Sequence, residues 1–308
     1  MSRLARLSLG TTALTFLLAA AGGLVRATDS GLGCPGWPKC FGRWVPPADH
    51  HAIIEMTHRY LASAVSIGVI ATCVVAVLFH RDDRRTVALG GAIVPLVAAQ
   101  ALLGAYVVHR ELEAWTVVAH LGLGMAFAAT LIALTVHLLV VGRGPGDPAA
   151  TRPLGVAAAA VYGQLLLGSY VTGRHAGLAF TDFPLHGGRV IPDGLGHAVP
   201  TLQFAHRLWA YVVVALVVTA AVRARRVLGP DAAAARLATA GAGLVCVQVV
   251  LGALNIWTRL HSAVVTAHLT VATFIWGATW AAWLVARRTP PPPSAPPPPA
   301  ARENVLVG

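Results

Sequence analysis

Charged residues are scarce in this chain: they make up 11% of its 308 residues, and Asp and Glu together number only 12. Hydrophobic residues account for 56%, and the mean hydropathy is +0.68. A water-soluble globule of this length needs a more polar surface, so the composition excludes that class and indicates a bilayer as the solvent.

Apolar runs dominate the sequence instead. A helix needs roughly 20 apolar residues to cross the hydrocarbon core, and eight stretches qualify: about 9–28, 52–79, 86–108, 116–141, 154–173, 202–222, 234–257 and 263–286. The formal charge of +11 would suggest nucleic acid in a soluble protein, but the basic residues lie at the ends of these stretches. Membrane lipid is therefore the expected partner, and nucleic acid is not.

The basic residues are unevenly divided between the two faces. If the eight spans alternate in direction, fourteen lie on the face that carries both termini and seven on the other. The positive-inside rule then predicts a multi-pass protein of the cell membrane with both termini in the cytoplasm. The first span could be read as a signal peptide, but its apolar run is longer than a usual signal core.

An internal repeat organises the chain. Residues 100–105, Gln-Ala-Leu-Leu-Gly-Ala, recur 148 positions later as Gln-Val-Val-Leu-Gly-Ala, and the offset shortens to 146 in the loops earlier in each half. The repeat predicts an all-α integral membrane protein whose eight transmembrane helices form two tandem four-helix bundles related by pseudo-twofold symmetry. The predicted parts are an N-terminal half 1–141, a turn-rich cytoplasmic linker 142–153, a C-terminal half 154–288 and a Pro-rich, disordered cytoplasmic tail 289–308.

Four of the thirteen histidines, His58, His120, His206 and His268, lie a few residues inside the same end of the even-numbered spans. Two imidazoles on facing helices can hold a haem iron from both sides, whereas zinc would need further ligands converging on one point. We therefore expect one haem between the first two and another between the last two. The other nine are expected to be solvated or interfacial: His50, His51, His80, His109, His137, His175, His186, His197 and His261.

Glu55 breaks the symmetry of the two halves. It lies three positions before His58 on the same helical face, where an ionisable group is costly, and its counterpart 148 positions later is Gln203. This asymmetry suggests that one haem is chemically altered and the other is a fixed cofactor. The alternative is an interfacial acid paired with Arg59 or Arg26.

Two arginines and four cysteines complete the candidate set. Arg59 and Arg207 follow histidines directly, and each could bind a haem propionate or simply anchor the helix end. Cys34 and Cys40 lie in the first outer loop, where an oxidising compartment allows a disulfide. Cys73 and Cys246 lie within apolar helices and are expected to be small buried core residues.

Residues 55–59, Glu-Met-Thr-His-Arg, resemble the Glu-x-x-His-Arg signature of the haem A synthases, which convert haem O to haem A for terminal oxidases. The resemblance covers about residues 10–286. It includes Gly-Gly-Leu-Val-Arg at 22–26, Gly-Leu-Gly-Cys-Pro-Gly-Trp-Pro-Lys-Cys at 31–40, the four histidines, and Thr-Asp-Phe-Pro-Leu at 181–185.

The resemblance implies a role for each half. The N-terminal half would take haem O as substrate at His58 and His120, with Glu55 beside the methyl group that becomes a formyl group through successive hydroxylations. The C-terminal half would hold a permanent haem B at His206 and His268. It also implies a haem O synthase as supplier, an unidentified electron donor, and molecular oxygen or water as the oxygen source. Whether the active unit is a homo-oligomer stays open.

The resemblance also bears on the cysteines. Cys34 and Cys40 would form a disulfide over the substrate half. Some members of the family carry a second pair in the matching loop of the other half, but this chain has no cysteine near Leu185 and His186.

Two other functions fit four level histidines. One is a di-haem b-type cytochrome in quinone-linked electron transfer, and the other is a haem carrier or exporter. The cytochrome leaves the difference between Glu55 and Gln203 unexplained.

Overall fold

The computed structural model describes residues 1–140 and 144–289, and these form eight α-helices and one short 3-10 helix, Ser30–Leu32. The α-helices are α1 Arg3–Ala27, α2 His50–Phe79, α3 Arg84–His109, α4 Ala114–Leu139, α5 Pro148–Gly173, α6 Ala198–Leu228, α7 Ala233–Trp257 and α8 Ser262–Ala286. Each is long and apolar enough to cross a membrane. The predicted all-α, multi-pass membrane fold is confirmed.

Several helices begin before the apolar run that predicted them, because polar residues cap them. Ser2 accepts a hydrogen bond from the backbone N–H of Ala5, and Asp49 accepts one from that of Ala52. Asp147 caps α5 in the same way, with Pro148 at the first helical position. Such caps satisfy N–H groups that the helix leaves unpaired. Helix α5 therefore starts inside the range predicted as linker.

The helices pack as two groups of four. In the first group α1 and α3 each contact α2 and α4, and in the second α5 and α7 each contact α6 and α8. The groups meet where α1 packs on α8, α4 on α5, and α4 on α8. This arrangement has the connectivity of two tandem bundles, while the pseudo-twofold relation and the division into domains stay predictions. The Pro-rich tail from residue 290 lies outside the described residues.

The contact between the two groups combines stacked rings with hydrogen bonds to helix carbonyls. Phe16 of α1 stacks on Phe274 of α8 with ring centroids 5.1 Å apart. The indole N–H of Trp280 donates to the carbonyl of Ala129, 3.1 Å away, and the Tyr162 hydroxyl donates to that of Gly122 at 3.1 Å. Polar side chains at a membrane helix interface are satisfied within the protein, because lipid offers them no partner.

The outer helices present large apolar side chains outward, such as Ile67 on α2 and Leu102 on α3, which are 69% and 67% exposed. Such surfaces suit lipid. The expectation that Cys73 and Cys246 are buried was wrong for Cys246, which is exposed, while Cys73 is half-buried. In a bilayer an apolar helix has a lipid-facing side, so an apolar neighbourhood in sequence does not imply burial in protein.

Candidate functional site

Each of the four predicted histidines lies against a glycine of the preceding helix. They all occur near the end of the bundle that carries the loops 28–49 and 174–197, which we call the disulfide side. A Cβ atom built on the glycine would lie very close to the imidazole Cε1: 3.1 Å between Gly22 and His58, 3.0 Å between Gly104 and His120, 3.0 Å between Gly168 and His206, and 3.5 Å between Gly252 and His268. A larger residue at the three tighter positions would displace the ring. We call each of these four glycines the seat of its imidazole.

All four imidazoles share one unsatisfied atom. Nδ1 of His58, His120, His206 and His268 is buried and has no hydrogen-bond partner within residues 1–140 and 144–289. An unpaired polar atom in a membrane interior is costly. Four equivalent ones at matching places indicate that the rings are positioned for something beyond the protein's own packing.

The imidazoles are neighbours in pairs. His58 contributes to the electrostatic surroundings of His120, and His268 to those of His206. No group of three or more His, Cys, Asp or Glu side chains that could hold a bare metal ion occurs within the described part of the chain. Two imidazoles with glycine seats suit a haem, because the porphyrin supplies the other four nitrogen ligands.

Three of the histidines also contact a glutamine one turn before the glycine. The Gln100 amide donates to the backbone carbonyl of His120 at 3.0 Å and lies 3.2 Å from its Nε2. Gln248 lies 3.2 Å from Nε2 of His268, and Gln164 donates to the carbonyl of His206 at 3.0 Å. The sequence pattern Gln-x-x-x-Gly could have revealed these contacts. At the matching place beside Gly22 the residue is Leu18.

The loop between α1 and α2 is closed by the predicted disulfide. Cys34 and Cys40 are bonded and fully buried, and they pack with Ala52 and Met56 of α2. The disulfide therefore holds this loop over the start of α2, close to Glu55.

Glu55 faces this loop. Its carboxylate is 3% exposed, accepts a hydrogen bond of 2.7 Å from the backbone N–H of Cys34, and forms an ion pair with Arg59. The other arginine considered as its partner, Arg26, pairs with Asp29 and donates to the carbonyl of Thr172. The acid is thus held at the base of the loop, one turn before His58.

Arg59 and its counterpart Arg207 hold the two loops by similar bonds to backbone carbonyls. Arg59 donates to the carbonyls of Cys34, Gly36, Pro38 and Lys39. Arg207 donates to those of Phe180, Asp182 and Leu185, at 3.1, 2.9 and 2.9 Å. Both guanidinium groups thus fasten a loop to the helix that carries them. Propionate binding stays a prediction.

Gln203 repeats the loop contact of Glu55 without its charge. Its Oε1 accepts a 2.6 Å hydrogen bond from the backbone N–H of Phe180, which is 146 positions after Cys34. Its Nε2 donates to the carbonyl of Gly177. An amide therefore suffices to hold such a loop, so the negative charge of Glu55 is not required for that purpose.

Phe180 and His186 stand at the positions of the disulfide in the second half, 146 residues after Cys34 and Cys40. Their ring centroids are 5.3 Å apart, and His186 also meets Phe204 edge to face at 5.0 Å. His186, which was expected to be solvated or interfacial, is only 5% exposed and is therefore not solvated. An aromatic cluster thus closes this loop where the other half uses a covalent bond. The offset alone could have found this pair.

Electrostatics in the second loop follow from these contacts. The backbone N–H groups of Gly188 and Gly187 each donate to the Asp182 carboxylate at 2.8 Å and hold its pKa below the usual range. Burial lowers the pKa of His186, and the nearby charge of Arg207 adds to this. Neutral His186 is therefore the form that the packed loop favours.

One of the other histidines joins the two groups of helices at the opposite end. Nε2 of His137 donates to Asp83 at 2.6 Å, and Arg288, just after α8, donates to its Nδ1 at 2.9 Å. This contact ties the start of α3 and the end of α4 to the end of α8, so His137 has a structural role there.

Comparison with known proteins gives a consistent result. A family model described as "Cytochrome oxidase assembly protein", COX15-CtaA, matches residues 5–280. A relative named "Heme A synthase" from Symbiobacterium thermophilum is 32% identical, with 90% of this chain and 93% of the relative aligned. Relatives of the same name from Geobacillus thermodenitrificans and Caulobacter vibrioides are each 31% identical. Their alignments cover 91% and 86% of this chain, and 90% and 92% of the relatives.

Proposed function

The chain belongs to the COX15-CtaA family of cytochrome oxidase assembly proteins, as a member of its haem A synthases, and we propose that it oxidises a methyl group of haem O to a formyl group. The observation that carries the proposal is a set of four imidazoles, each lying against a glycine, two in each group of helices. Among the described residues, a buried acid, Glu55, lies beside the pair in the first group, and its counterpart in the second group is an amide.

We place the substrate haem O between His58 and His120, and a permanent haem B between His206 and His268. Support for two sites comes from the buried, unpartnered Nδ1 atom of each ring and from the electrostatic pairing of the rings. Support for unequal roles comes from the pairs that differ between the halves. Glu55 in the first half corresponds to Gln203 in the second, and the Cys34–Cys40 bond corresponds to an aromatic cluster.

Haem B, when bound, supplies one-electron redox chemistry. The chain's own contribution at that site is positional: His206 and His268 would hold the haem iron, and Gln164 holds the backbone of His206. The glycines Gly168 and Gly252 leave room for the Cε1 edge of each ring against the preceding helix. Helices α6 and α7 present apolar side chains outward, which keeps water from this half of the bundle.

The reaction balances as two hydroxylations. Each replaces a C–H bond of the methyl carbon with a C–O bond and withdraws two electrons from that carbon. The second gives a geminal diol, which loses one water to leave the formyl group. If the oxygen atom comes from O₂, two electrons and two protons from a donor reduce the second oxygen atom to water. If it comes from water, an oxidant takes up the two electrons.

Glu55 is the residue we assign to this chemistry. Gln203 makes the same backbone contact with its loop, so the charge of Glu55 has a different use. A carboxylate one turn from His58 can stabilise positive charge developing at the methyl carbon or accept the proton that leaves it. Arg59 balances this charge while the site is at rest.

The test is to extract the pigments of the purified protein and identify them by mass. We expect haem B together with haem O, a hydroxylated intermediate or haem A. Haem B alone would contradict the proposal and favour a di-haem cytochrome. Unaltered haem O that passes through the protein without any oxidised product would favour a haem carrier.

The cellular setting is part of the proposal. The excess of basic residues on the face with the termini favours a cell-membrane protein with both termini in the cytoplasm, and the Cys34–Cys40 disulfide fits an oxidising compartment on the disulfide side. A haem O synthase would supply the substrate, and a membrane electron carrier would complete the redox balance. A protease that reaches only the outer face should cut the loop 174–197 and spare both termini.

A further inference from the structure

Three of the four haem-site histidines are restrained by a side-chain amide, and the fourth is not. Gln100, Gln164 and Gln248 each lie four residues before the glycine that seats the ring, so the amide and the seat share one helical face. The amide nitrogens of Gln100 and Gln248 lie 3.2 Å from the imidazole Nε2 of His120 and His268, and that of Gln164 donates to the backbone carbonyl of His206 at 3.0 Å. These contacts are absent from the sequence signature that carries the family resemblance.

The amides have no other evident use. Oε1 of each of the three glutamines is buried and has no hydrogen-bond partner in the part of the chain that the structure describes. A glutamine in a membrane interior with half of its amide unsatisfied is costly. Its contact with the histidine is therefore what offsets that cost.

His58 lacks this restraint. Gly22 seats its ring at a distance of 3.1 Å like the others, but four residues earlier stands Leu18, whose side chain cannot donate a hydrogen bond. The backbone of Leu18 lies beside the imidazole. His58 is thus held by packing and by a backbone contact with Leu18, while its three counterparts are held by packing and by a side-chain amide.

We infer that Gln100, Gln164 and Gln248 are positioning residues for His120, His206 and His268, and that His58 is the ligand that opens to let haem enter and leave. This inference rests on the proposed function, since it presumes a haem at each pair. A permanent cofactor needs two fixed ligands, as His206 and His268 are. A substrate that must depart as product needs one ligand that releases easily.

The test exchanges the residues at equivalent positions of the two halves. Leu18→Gln gives His58 the amide that it lacks, and Gln164→Leu removes the amide from His206, the matching position of the repeat. Leu18→Met is the control, because Met matches the unbranched shape and length of Gln but stays apolar and has no donor. The holo-protein is mixed with excess apomyoglobin as haem acceptor, and the haems that leave are identified by mass and timed.

In the wild-type protein we expect substrate-type haem to leave faster than haem B. Leu18→Gln should slow the loss of substrate-type haem about fivefold, the effect of one ordinary hydrogen bond. Gln164→Leu should speed the loss of haem B by a similar factor, and Leu18→Met should behave as wild type. The low-spin spectrum of each ferric protein gives a second readout, since a less restrained imidazole broadens the signal of its own haem.

The outcomes distinguish a failure of this inference from a failure of the proposed function. Haem-loaded exchange variants whose release rates equal that of the wild type overturn this inference alone. A wild-type protein that binds no haem overturns the proposed function and this inference with it. If Leu18→Gln fails to fold, an unchanged haem B release rate in Gln164→Leu still refutes the positioning role.

Discussion

The glycine seats give a graded test of the site. Replacing each by alanine adds one Cβ atom, and the structure fixes what that atom would meet. At Gly104 and Gly168 it lies 3.0 Å from the histidine Cε1, whereas at Gly252 it lies 3.5 Å away. Carbon atoms in ordinary contact are about 3.5 to 4.0 Å apart. The first two substitutions therefore push the imidazole by about 0.5 Å, and the third leaves it in place.

A displacement of this size is enough to matter. Ligand groups must be held within about 0.5 Å of their working geometry, so Gly104→Ala and Gly168→Ala should each reduce the haem bound at their own pair severalfold. Two matched controls lie on the same type of helix: a Cβ at Gly91 on α3 or Gly243 on α7 meets nothing within 4 Å. Removing a helix glycine there stabilises the helix by up to about 1 kcal/mol.

The assay is haem per chain from absorption spectra, together with thermal unfolding in detergent. Gly252→Ala and both controls should keep the wild-type haem content, with an unfolding temperature that is unchanged or higher. Gly168→Ala should lose haem although it gains the same helix propensity. Equal haem content in Gly168→Ala and Gly252→Ala would refute the argument that the glycines seat the ligands.

Three further predictions follow from the loops. Glu55→Gln should keep both haems bound, because Gln203 makes the same loop contact, and should abolish methyl oxidation in a haem O conversion assay. Full haem A production by Glu55→Gln would refute the catalytic assignment. Cys34→Ala with Cys40→Ala should lower the free energy of unfolding by about 2 kcal/mol, the value expected for a short closed loop, as measured by denaturant titration against a Cys246→Ala control. Burial lowers the pKa of His186, so the unfolded chain binds more protons than the folded one as pH falls below about 6.5. The free energy of unfolding should therefore decline below that pH, and His186→Phe should remove the decline in unfolding curves recorded from pH 7.5 to 5. An identical decline in His186→Phe would exclude the buried imidazole as its source.

The helices and the four candidate histidines were accessible from the sequence for different reasons. Apolar runs of about 20 residues report the thickness of the bilayer, so eight spans follow from composition and length alone. The first residues of α1 and α5 were harder to predict, because capping by Ser2 and Asp147 starts these helices before their apolar runs. The four histidines stood out through the repeat, since the same residue at the same depth in both halves has few explanations other than a shared ligand role.

The loops were less accessible. The 146-residue offset locates Phe180 and His186 opposite the disulfide, but nothing in their residue types indicates that an aromatic contact replaces it. Similarly, Cys246 gave the wrong expectation because sequence hydropathy does not distinguish a side that faces lipid from one that faces protein. The loop-anchoring use of Arg59 and Arg207 depends on backbone carbonyls, which every residue has and no motif records.

The central claim, that one pair of histidines holds a substrate haem and the other a permanent haem B, has a direct test. His58→Ala and His206→Ala proteins are purified side by side, and the haems that remain in each are identified by mass. We expect His58→Ala to keep haem B and to lack haem O and its oxidised products, and His206→Ala to be depleted of haem B while substrate-type haem stays bound. The same haem composition in both variants would contradict it.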